Sequence, residues 1–138
     1  MVASALKSGS AHHRAVFEVF ARRLPAGRAY GVMAGIERVL DALSRFRFDA
    51  ATVDHLVAAG VVQEGEMTDW LAAYRFSGDI TGYAEGELFF PYSPVITVTG
   101  TFAECVVLET VILSVLNHDC AVASAAARMA DAAGGRLL

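Results

Sequence analysis

The residues best suited to bind an anion in this 138-residue chain are two consecutive arginines, Arg22 and Arg23. A guanidinium can donate two parallel hydrogen bonds to one phosphate or carboxylate group. Residues 15–23 are rich in β-branched and aromatic side chains, which predicts a strand that ends before Pro25. Because side chains alternate along a strand, the two arginines would face opposite sides of it. The pattern is compatible with a phosphate contact from one arginine and also with a solvated strand end.

Two glutamates further along the chain have surroundings that predict different roles. Glu104 lies in the first turn of a predicted helix, where the helix dipole stabilises a negative charge. Glu109 lies within an apolar helical surface, where an unpaired carboxylate is costly to bury. We therefore expect Glu109 to have a cationic or hydrogen-bonding partner, either within the fold or at the edge of an active site.

The remaining residue types suited to catalysis or metal binding do not form a motif. His12 and His13 are adjacent, so they make a poor metal-binding pair, and an exposed loop is the favoured interpretation. Residues 118–120 are His, Asp and Cys, but consecutive residues of a helix do not face each other. This favours a junction between two helices over a nucleophile–base pair. The sequence contains no phosphate-loop or dinucleotide-binding glycine pattern and no zinc-type spacing of Cys or His.

Several helices are predicted around these residues. A first helix begins the chain, and apolar residues at helical spacing predict another across "AGIERVLDALSRF". Asp49 and Thr68 are predicted N-caps of two short helices. From Phe102 the helical period returns and holds to about Ala133, with a break into two helices expected at residues 117–119.

The period of the apolar pattern changes to two between residues 79 and 100. The segments "DITGYAEGELFF" and "VITVTG" predict two strands joined by a turn at "PYSP". In the second strand, Ile96 and Val98 are predicted to share one face and the alternating threonines the other. The sequence therefore predicts an α+β fold with a mixed or antiparallel sheet and flanking helices.

The composition excludes several classes of protein. The chain is 55% hydrophobic with a mean hydropathy of +0.45, but prolines, glycines or charged residues interrupt each of its long apolar runs. A membrane span needs about 20 apolar residues, so we expect none. We expect instead an apolar surface that faces a partner chain or a further domain. The net charge of −4 and the pI near 5.5 argue against nucleic-acid binding.

The cysteines and the N-terminus indicate a cellular compartment. No secretory leader pattern opens the sequence. Cys105 and Cys120 would lie about 22 Å apart along a helix, which is too far for a disulfide bond. We expect both thiols to be reduced and the protein to be cytoplasmic.

Three segments of the chain resemble nicotinate phosphoribosyltransferases, and most of all the actinobacterial branch of that family. They are "FEVFARRLPAGRAYGVMAGIERVL", "YRFSGDITGYAEGELFFPYSPVITVTGTFAECVVLET" and "LNHDCAVASAAARMADAAGGR". The resemblance runs in one order over essentially the whole chain. Its most specific part is the strand pair with "EGE", "FP" and "SP" that leads into "ECVVLET".

The resemblance implies a type II phosphoribosyltransferase that forms nicotinate mononucleotide from nicotinate and phosphoribosyl pyrophosphate in NAD salvage. ATP hydrolysis would drive the step, and Mg²⁺ would accompany the phosphates. Residues 1–101 would form an N-terminal α+β domain of the sandwich or hammerhead type. Residues 102–138 would form a helical segment that leads into an α/β barrel outside this chain. The family also implies a homodimer with active sites near the subunit boundary.

The same resemblance assigns one functional position within the chain. Arg22 lies nearest to a phosphate-contacting arginine of the related nicotinamide-using enzyme, and Arg23 is the alternate. The catalytic residues, including a phosphorylated histidine, and the phosphate loops of the barrel are expected outside these residues. The fragment is therefore expected to be inactive alone. A quinolinate phosphoribosyltransferase fragment and a non-catalytic oligomerisation domain of the same fold remain alternatives.

Overall fold

The computed structural model describes residues 1–136 and confirms the predicted α+β class. A 3₁₀ turn at Ser10–His12 follows the first helix. The regular elements are, in chain order, α1 (Val2–Ser8), β1 (Arg14–Val19), β2 (Gly31–Val32), α2 (Ile36–Arg45), α3 (Ala50–Ala58), α4 (Glu66–Ala73), β3 (Asp79–Gly82), β4 (Leu88–Phe89), β5 (Ile96–Thr101) and α5 (Phe102–Ala133).

The larger of the two sheets has three antiparallel strands, with β5 in the centre between β1 and β3. Val98 of β5 lies opposite Phe17 of β1 and Ile80 of β3. Ile96 and Val98 are buried whereas the threonines of β5 are half-buried, which confirms the predicted alternation. A second sheet pairs only β2 with β4, also antiparallel.

The segment of residues 79–90, predicted as one strand, is divided between the two sheets. β3 ends at Gly82, and after a turn the chain forms β4, whose partner is β2. The carboxylate of Glu85 in this turn accepts hydrogen bonds from the backbone N–H groups of Gly35 and Ile36, at 2.9 and 2.6 Å. These bonds draw the turn towards the start of α2 and away from β5. The single-strand prediction was wrong because the alternating pattern does not reveal which strand becomes the partner.

The caps predicted for the two short helices have different outcomes. The side chain of Asp49 accepts a hydrogen bond of 2.8 Å from the N–H of Thr52, which confirms it as the N-cap of α3. The prediction for Thr68 was wrong, because α4 begins two residues earlier and Gly65 is its N-cap. The hydroxyl of Thr68, in the first turn, accepts a hydrogen bond from the Gly65 N–H. Thr68 therefore satisfies the backbone N–H of the N-cap residue, although Thr68 itself lies within the helix.

α5 is one continuous helix of 32 residues, so the break predicted at residues 117–119 was wrong. Proline and glycine do not occur within α5, and these are the residues that usually interrupt a helix. Asn117 and His118 are exposed, so their polar groups reach solvent without opening the backbone hydrogen bonds.

The core forms where one stripe of α5 packs against β5 and α2. The stripe consists of buried residues three or four positions apart, which are Cys105, Leu108, Ile112 and Leu116. It shares a single cluster with Ile96 and Val98 of β5 and Val39 of α2. An apolar stripe of this spacing is how a helix covers a sheet.

α5 is also the helix within residues 1–136 that is long and apolar enough to cross a membrane, judged by length and composition alone. Its most apolar 18-residue window has a mean hydropathy of 1.6, and 28% of that window is buried. The central helix of a globular core meets the same criterion, and here the buried stripe packs against β5. The buried stripe accounts for part of the apolar character of α5.

We predict that Leu108→Ala lowers the free energy of unfolding by about 2–5 kcal/mol, the range for a leucine truncated in a core. Leu108 is fully buried beneath the sheet, so its loss leaves a cavity. Urea unfolding followed by the fluorescence of Trp70 measures the change. Leu40→Ala on α2 is the matched control, because Leu40 is 47% exposed. Equal losses in the two variants would contradict the assignment of α5 as the core helix.

Candidate functional site

A cavity of about 580 Å³ lies between the loop that follows β1 and the middle of α5, residues 113–124. Apolar side chains such as Leu24, Phe89 and Leu116 form most of its wall. Its polar side chains come from both elements and are Arg23, Arg28, Tyr30, Ser114, Asn117, Cys120 and Ser124. An apolar cavity with a few convergent polar groups is the usual form of a small-molecule site. This cavity is therefore the candidate site of the described residues.

The two arginines singled out in the sequence lie beyond the strand rather than within it. β1 ends at Val19, so the prediction that the strand extends to Arg23 was wrong. The pairing of β1 with β5 ends where Val19 lies opposite Ile96. After Val19, the chain is held instead by a hydrogen bond from the Tyr92 N–H to the Ala21 carbonyl. The arginines consequently belong to an irregular loop.

Of the two arginines, Arg23 lines the cavity, and Arg22 is not among its lining residues. Both are exposed. The prediction that strand alternation sends the two arginines to opposite faces does not apply, because neither of them lies in β1. A third cation, Arg28, lines the same cavity from the far side of the loop. The sequence did not indicate a site at Arg28, because the glycine and alanine that flank it are typical of an ordinary turn.

Glu109 is exposed on α5, so the expectation that it is enclosed by apolar surface and needs a partner was wrong. The next residue of an α-helix is rotated by about 100°. Glu109 therefore points away from the buried stripe that contains Leu108. It is also not among the residues that line the cavity.

Glu104 has the role that its position in the first helical turn predicted. Its carboxylate accepts hydrogen bonds from the N–H and hydroxyl of Thr101, at 3.1 and 2.8 Å, which forms a capping box. The hydroxyl of Ser77 donates to its other oxygen at 3.0 Å. Burial, and secondarily the charge of Glu104, raise the pKa of Tyr74 and the pKa of Cys105. Both groups are therefore neutral structural elements.

Within residues 118–120, His118 and Asp119 contact each other, whereas Cys120 bonds elsewhere. The Asp119 carboxylate pairs with Arg38 of α2 and lies 2.9 Å from Nδ1 of His118. The hydrogen bond with His118, together with Arg38, lowers the pKa of Asp119. The thiol of Cys120 faces the other way and donates to the Ala34 carbonyl at 3.4 Å. Burial raises the pKa of Cys120, so this trio does not provide an activated nucleophile.

His12, His13 and the two cysteines complete the candidate residues named from the sequence. His12 is the last residue of the 3₁₀ turn and His13 follows it, and both are exposed. Cys105 and Cys120 are free thiols on α5. Within residues 1–136, His, Cys, Asp and Glu form no group of three that could hold a metal ion.

A set of contacts between the loop and α5 was not visible in the sequence. Nη2 of Arg128 donates to the carbonyl of Tyr30 at 2.7 Å, and its guanidinium lies 5.3 Å from the centre of the Tyr30 ring. The Tyr30 hydroxyl donates to Asp131 at 3.3 Å. The hydroxyl of Ser124, a buried polar residue, accepts from the N–H of Val32 at 2.9 Å. The spacing of these three α5 residues is helical, but their partners lie about a hundred positions away in sequence.

We predict that Gly35→Ala destabilises the chain more than Gly60→Ala does. Both glycines have positive φ, at 97° and 70°, which costs an alanine about 1–2 kcal/mol. At Gly35 a Cβ would also lie 2.7 Å from Oδ2 of Asp119, so the pair with Arg38 would have to move. Gly60 has open space at the same position. Urea unfolding of both variants measures the difference, and equal losses would show that the Asp119 contact is dispensable.

Comparisons with known proteins agree with the resemblance seen in the sequence. A family model described as the nicotinate phosphoribosyltransferase (NAPRTase) N-terminal domain matches residues 1–117. The chain is 58% identical over all 138 residues to nicotinate phosphoribosyltransferase pncB1 of Mycobacterium tuberculosis H37Rv, of which it covers 30%. It is 30% identical to the nicotinate phosphoribosyltransferase of Bacillus subtilis over 93% of its own length and 26% of that protein.

A solved structure gives the same result for the fold. The crystal structure of human nicotinic acid phosphoribosyltransferase matches 99% of this chain with a TM-score of 0.90 and 30% identity, over 28% of the human chain. The chain thus spans under a third of the length of the relatives it matches. On the family match over 117 residues and the full-length identity of 58%, the chain belongs to the nicotinate phosphoribosyltransferase family, in the region of its N-terminal domain.

Proposed function

We propose that these residues form the N-terminal part of an enzyme that joins nicotinate to phosphoribosyl pyrophosphate, giving nicotinate mononucleotide for NAD salvage. The observation that carries the proposal is the 58% identity to a nicotinate phosphoribosyltransferase across every residue of the chain. The relatives described above are named for nicotinate, which favours this reaction over the quinolinate alternative. The proposal keeps residues 1–101 as the α+β domain and residues 102–138 as the connection to a barrel.

The contribution proposed for this chain is electrostatic. In the reaction, the pyridine nitrogen of nicotinate forms a bond to the anomeric carbon of the ribose, and pyrophosphate leaves. The substrate carries several phosphate charges, and preorganised cations stabilise such charges best where water is partly excluded. Arg23 lies on an apolar cavity with Arg28 also at its wall, so these residues offer a cationic edge to a phosphate group. Arg22 is exposed and is not among the residues that line the cavity.

ATP and Mg²⁺ belong to the proposal for the whole enzyme. Mg²⁺ prefers one or two carboxylates together with substrate phosphates and water. Within residues 1–136 we find no cluster of three candidate ligands, and we assign no step to these residues through either group. The proposed compartment is the cytoplasm, which agrees with the two free thiols.

A chimaera tests the activity and the arginines together. Residues 1–138 replace the 58% identical region of the M. tuberculosis pncB1 protein, and nicotinate mononucleotide is measured with nicotinate, phosphoribosyl pyrophosphate, ATP and Mg²⁺. Product at the rate of the unmodified relative supports the proposed function. A folded chimaera that makes no product contradicts it.

In this chimaera we predict that Arg23→Ala raises the KM for phosphoribosyl pyrophosphate by about 10- to 150-fold, as expected for one lost charge-assisted hydrogen bond. Arg23→Lys should recover only part of the loss, because an ammonium lacks the planar fork. Arg22→Ala is the matched control and should change KM by much less. The reverse order would assign the phosphate contact to Arg22, and no effect from either would leave both arginines as solvated loop residues.

A homodimer is the second part of the proposal, and an exposed aromatic surface supports it. Phe20, Leu88, Phe90 and Tyr92 are all more than 40% exposed and lie near the end of β1 and around β4. The Phe20 and Tyr92 rings are 6.0 Å apart. Tyr92 also has a positive φ of 66°, an unusual conformation for a residue other than glycine. Apolar surface of this kind is typical of interfaces.

We predict that the 138-residue chain associates with itself through this aromatic surface. Sedimentation over a concentration series should show dimers or larger species, and Phe90→Ser should shift the equilibrium towards monomer. Val122→Ser is the control, since Val122 is a similarly exposed apolar residue on α5. If only Val122→Ser weakens association, the interface lies on α5 and the aromatic surface is not responsible. If the chain is monomeric at all concentrations, the proposed self-association of these residues is wrong.

A further inference from the structure

The loop from Phe20 to Tyr30 carries every arginine of the candidate cavity, yet it has little structure of its own. Between Ala21 and Tyr30, the backbone hydrogen bonds of the described chain comprise a single turn, from the Arg28 N–H to the Pro25 carbonyl at 3.1 Å. A loop with so few internal bonds depends on its two ends to hold its shape. Its first end is fixed by the bond from the Tyr92 N–H to the Ala21 carbonyl, at 2.8 Å.

The second end of the loop is fixed by α5, and Arg128 makes most of that attachment. One guanidinium contacts Tyr30 twice, through a hydrogen bond of 2.7 Å to its carbonyl and through the face of its ring. The same group donates to the carbonyl of Ser124 one turn earlier on α5, which holds the side chain in place. A planar fork can make these contacts at once, whereas a lysine ammonium cannot.

The α5 residues that contact the end of the loop and the start of β2 lie on one face of the helix. Ser124, Arg128 and Asp131 follow the helical repeat and meet the chain at Tyr30 and Val32. Tyr30 and Ser124 line the same cavity as Arg23. Tyr30 therefore connects the second end of the loop that carries Arg23 to α5, while Ala21 anchors the first end.

We propose that Arg128 is a positioning residue that fixes the loop of residues 20–30 and so places Arg23 for phosphate binding. The second half of this statement rests on the proposed function, whereas the first half concerns the fold alone. Arg128 does not line the cavity and acts through Tyr30. The experiment therefore has one arm that needs no activity and one arm that does.

The first arm measures amide exchange by NMR on the 138-residue chain. In Arg128→Met, the amides of Arg28 and Val32 should exchange faster by about tenfold or more, the ratio for one charge-assisted hydrogen bond. The amide of Leu108 reports global unfolding and should not change. In Arg128→Lys, the exchange rates of the Arg28 and Val32 amides should lie between those of the unmodified chain and those of Arg128→Met. Arg38→Met is the matched control, because it removes another arginine contact to α5 that lies away from the loop.

Two results of the first arm would overturn the proposal. Exchange at Arg28 and Val32 that is unchanged in Arg128→Met would show that the loop holds itself. A parallel increase at Leu108 would show that Arg128 contributes only to overall stability.

The second arm measures steady-state kinetics in the chimaera with the M. tuberculosis protein. Arg128→Met should raise the KM for phosphoribosyl pyrophosphate with little change in kcat, and Arg128→Lys should restore part of it. The double variant with Arg23→Ala should be no worse than Arg23→Ala alone, since residues that act through one another are not additive.

The outcomes of the second arm separate the two proposals. If Arg23→Ala raises KM and Arg128→Met does not, the positioning role is wrong. If Arg23→Ala has no effect, the proposed phosphate contact is wrong, and the exchange data still decide whether Arg128 holds the loop.

Discussion

The burial of one stripe of α5 against β5 is the interaction on which the rest of this structure depends. Ile96 and Val98 from the strand meet Leu108 and Ile112 from the helix in one cluster. Strand and helix follow each other without a connecting loop, because β5 ends at Thr101 and α5 begins at the next residue. The capping box across that junction leaves the angle between the two elements little freedom.

The continuity of α5 extends this constraint to the candidate site. The first half of the helix contributes the core stripe, and the second half contributes the contacts to the loop that carries Arg23. A helix of 32 residues is about 48 Å long. A break near its middle would have separated the cavity wall from the sheet. The polar residues 117–119 do not break the helix, because Asn117 and His118 are exposed to solvent and Asp119 pairs with Arg38.

How far the fold and the candidate site could be predicted from the sequence depends on how far apart the interacting residues lie along the chain. The cap at Thr68 and the break at residues 117–119 were wrong. Other features set by neighbouring residues were correct, such as the cap at Asp49 and the alternation in β5. Features set by distant partners were not. β2 is only two residues long and exists because β4 pairs with it. The exposure of Glu109 depends on which stripe of α5 is buried, and the contacts of α5 with Tyr30 join residues about a hundred positions apart in sequence.

The pairing of β1 with β5 has a consequence for how the chain is made. β1 is complete at Val19, but its partner strand does not begin until Ile96. At ribosomal rates of about 5–20 residues per second, the strand waits roughly 4–15 s before its partner is synthesised. During that time β1, whose Phe17 and Val19 pack against the core in the finished fold, lacks both its partner strand and α5, which favours association with other chains. The order of the strands along the chain thus exposes this region to association during synthesis, whatever the stability of the finished fold.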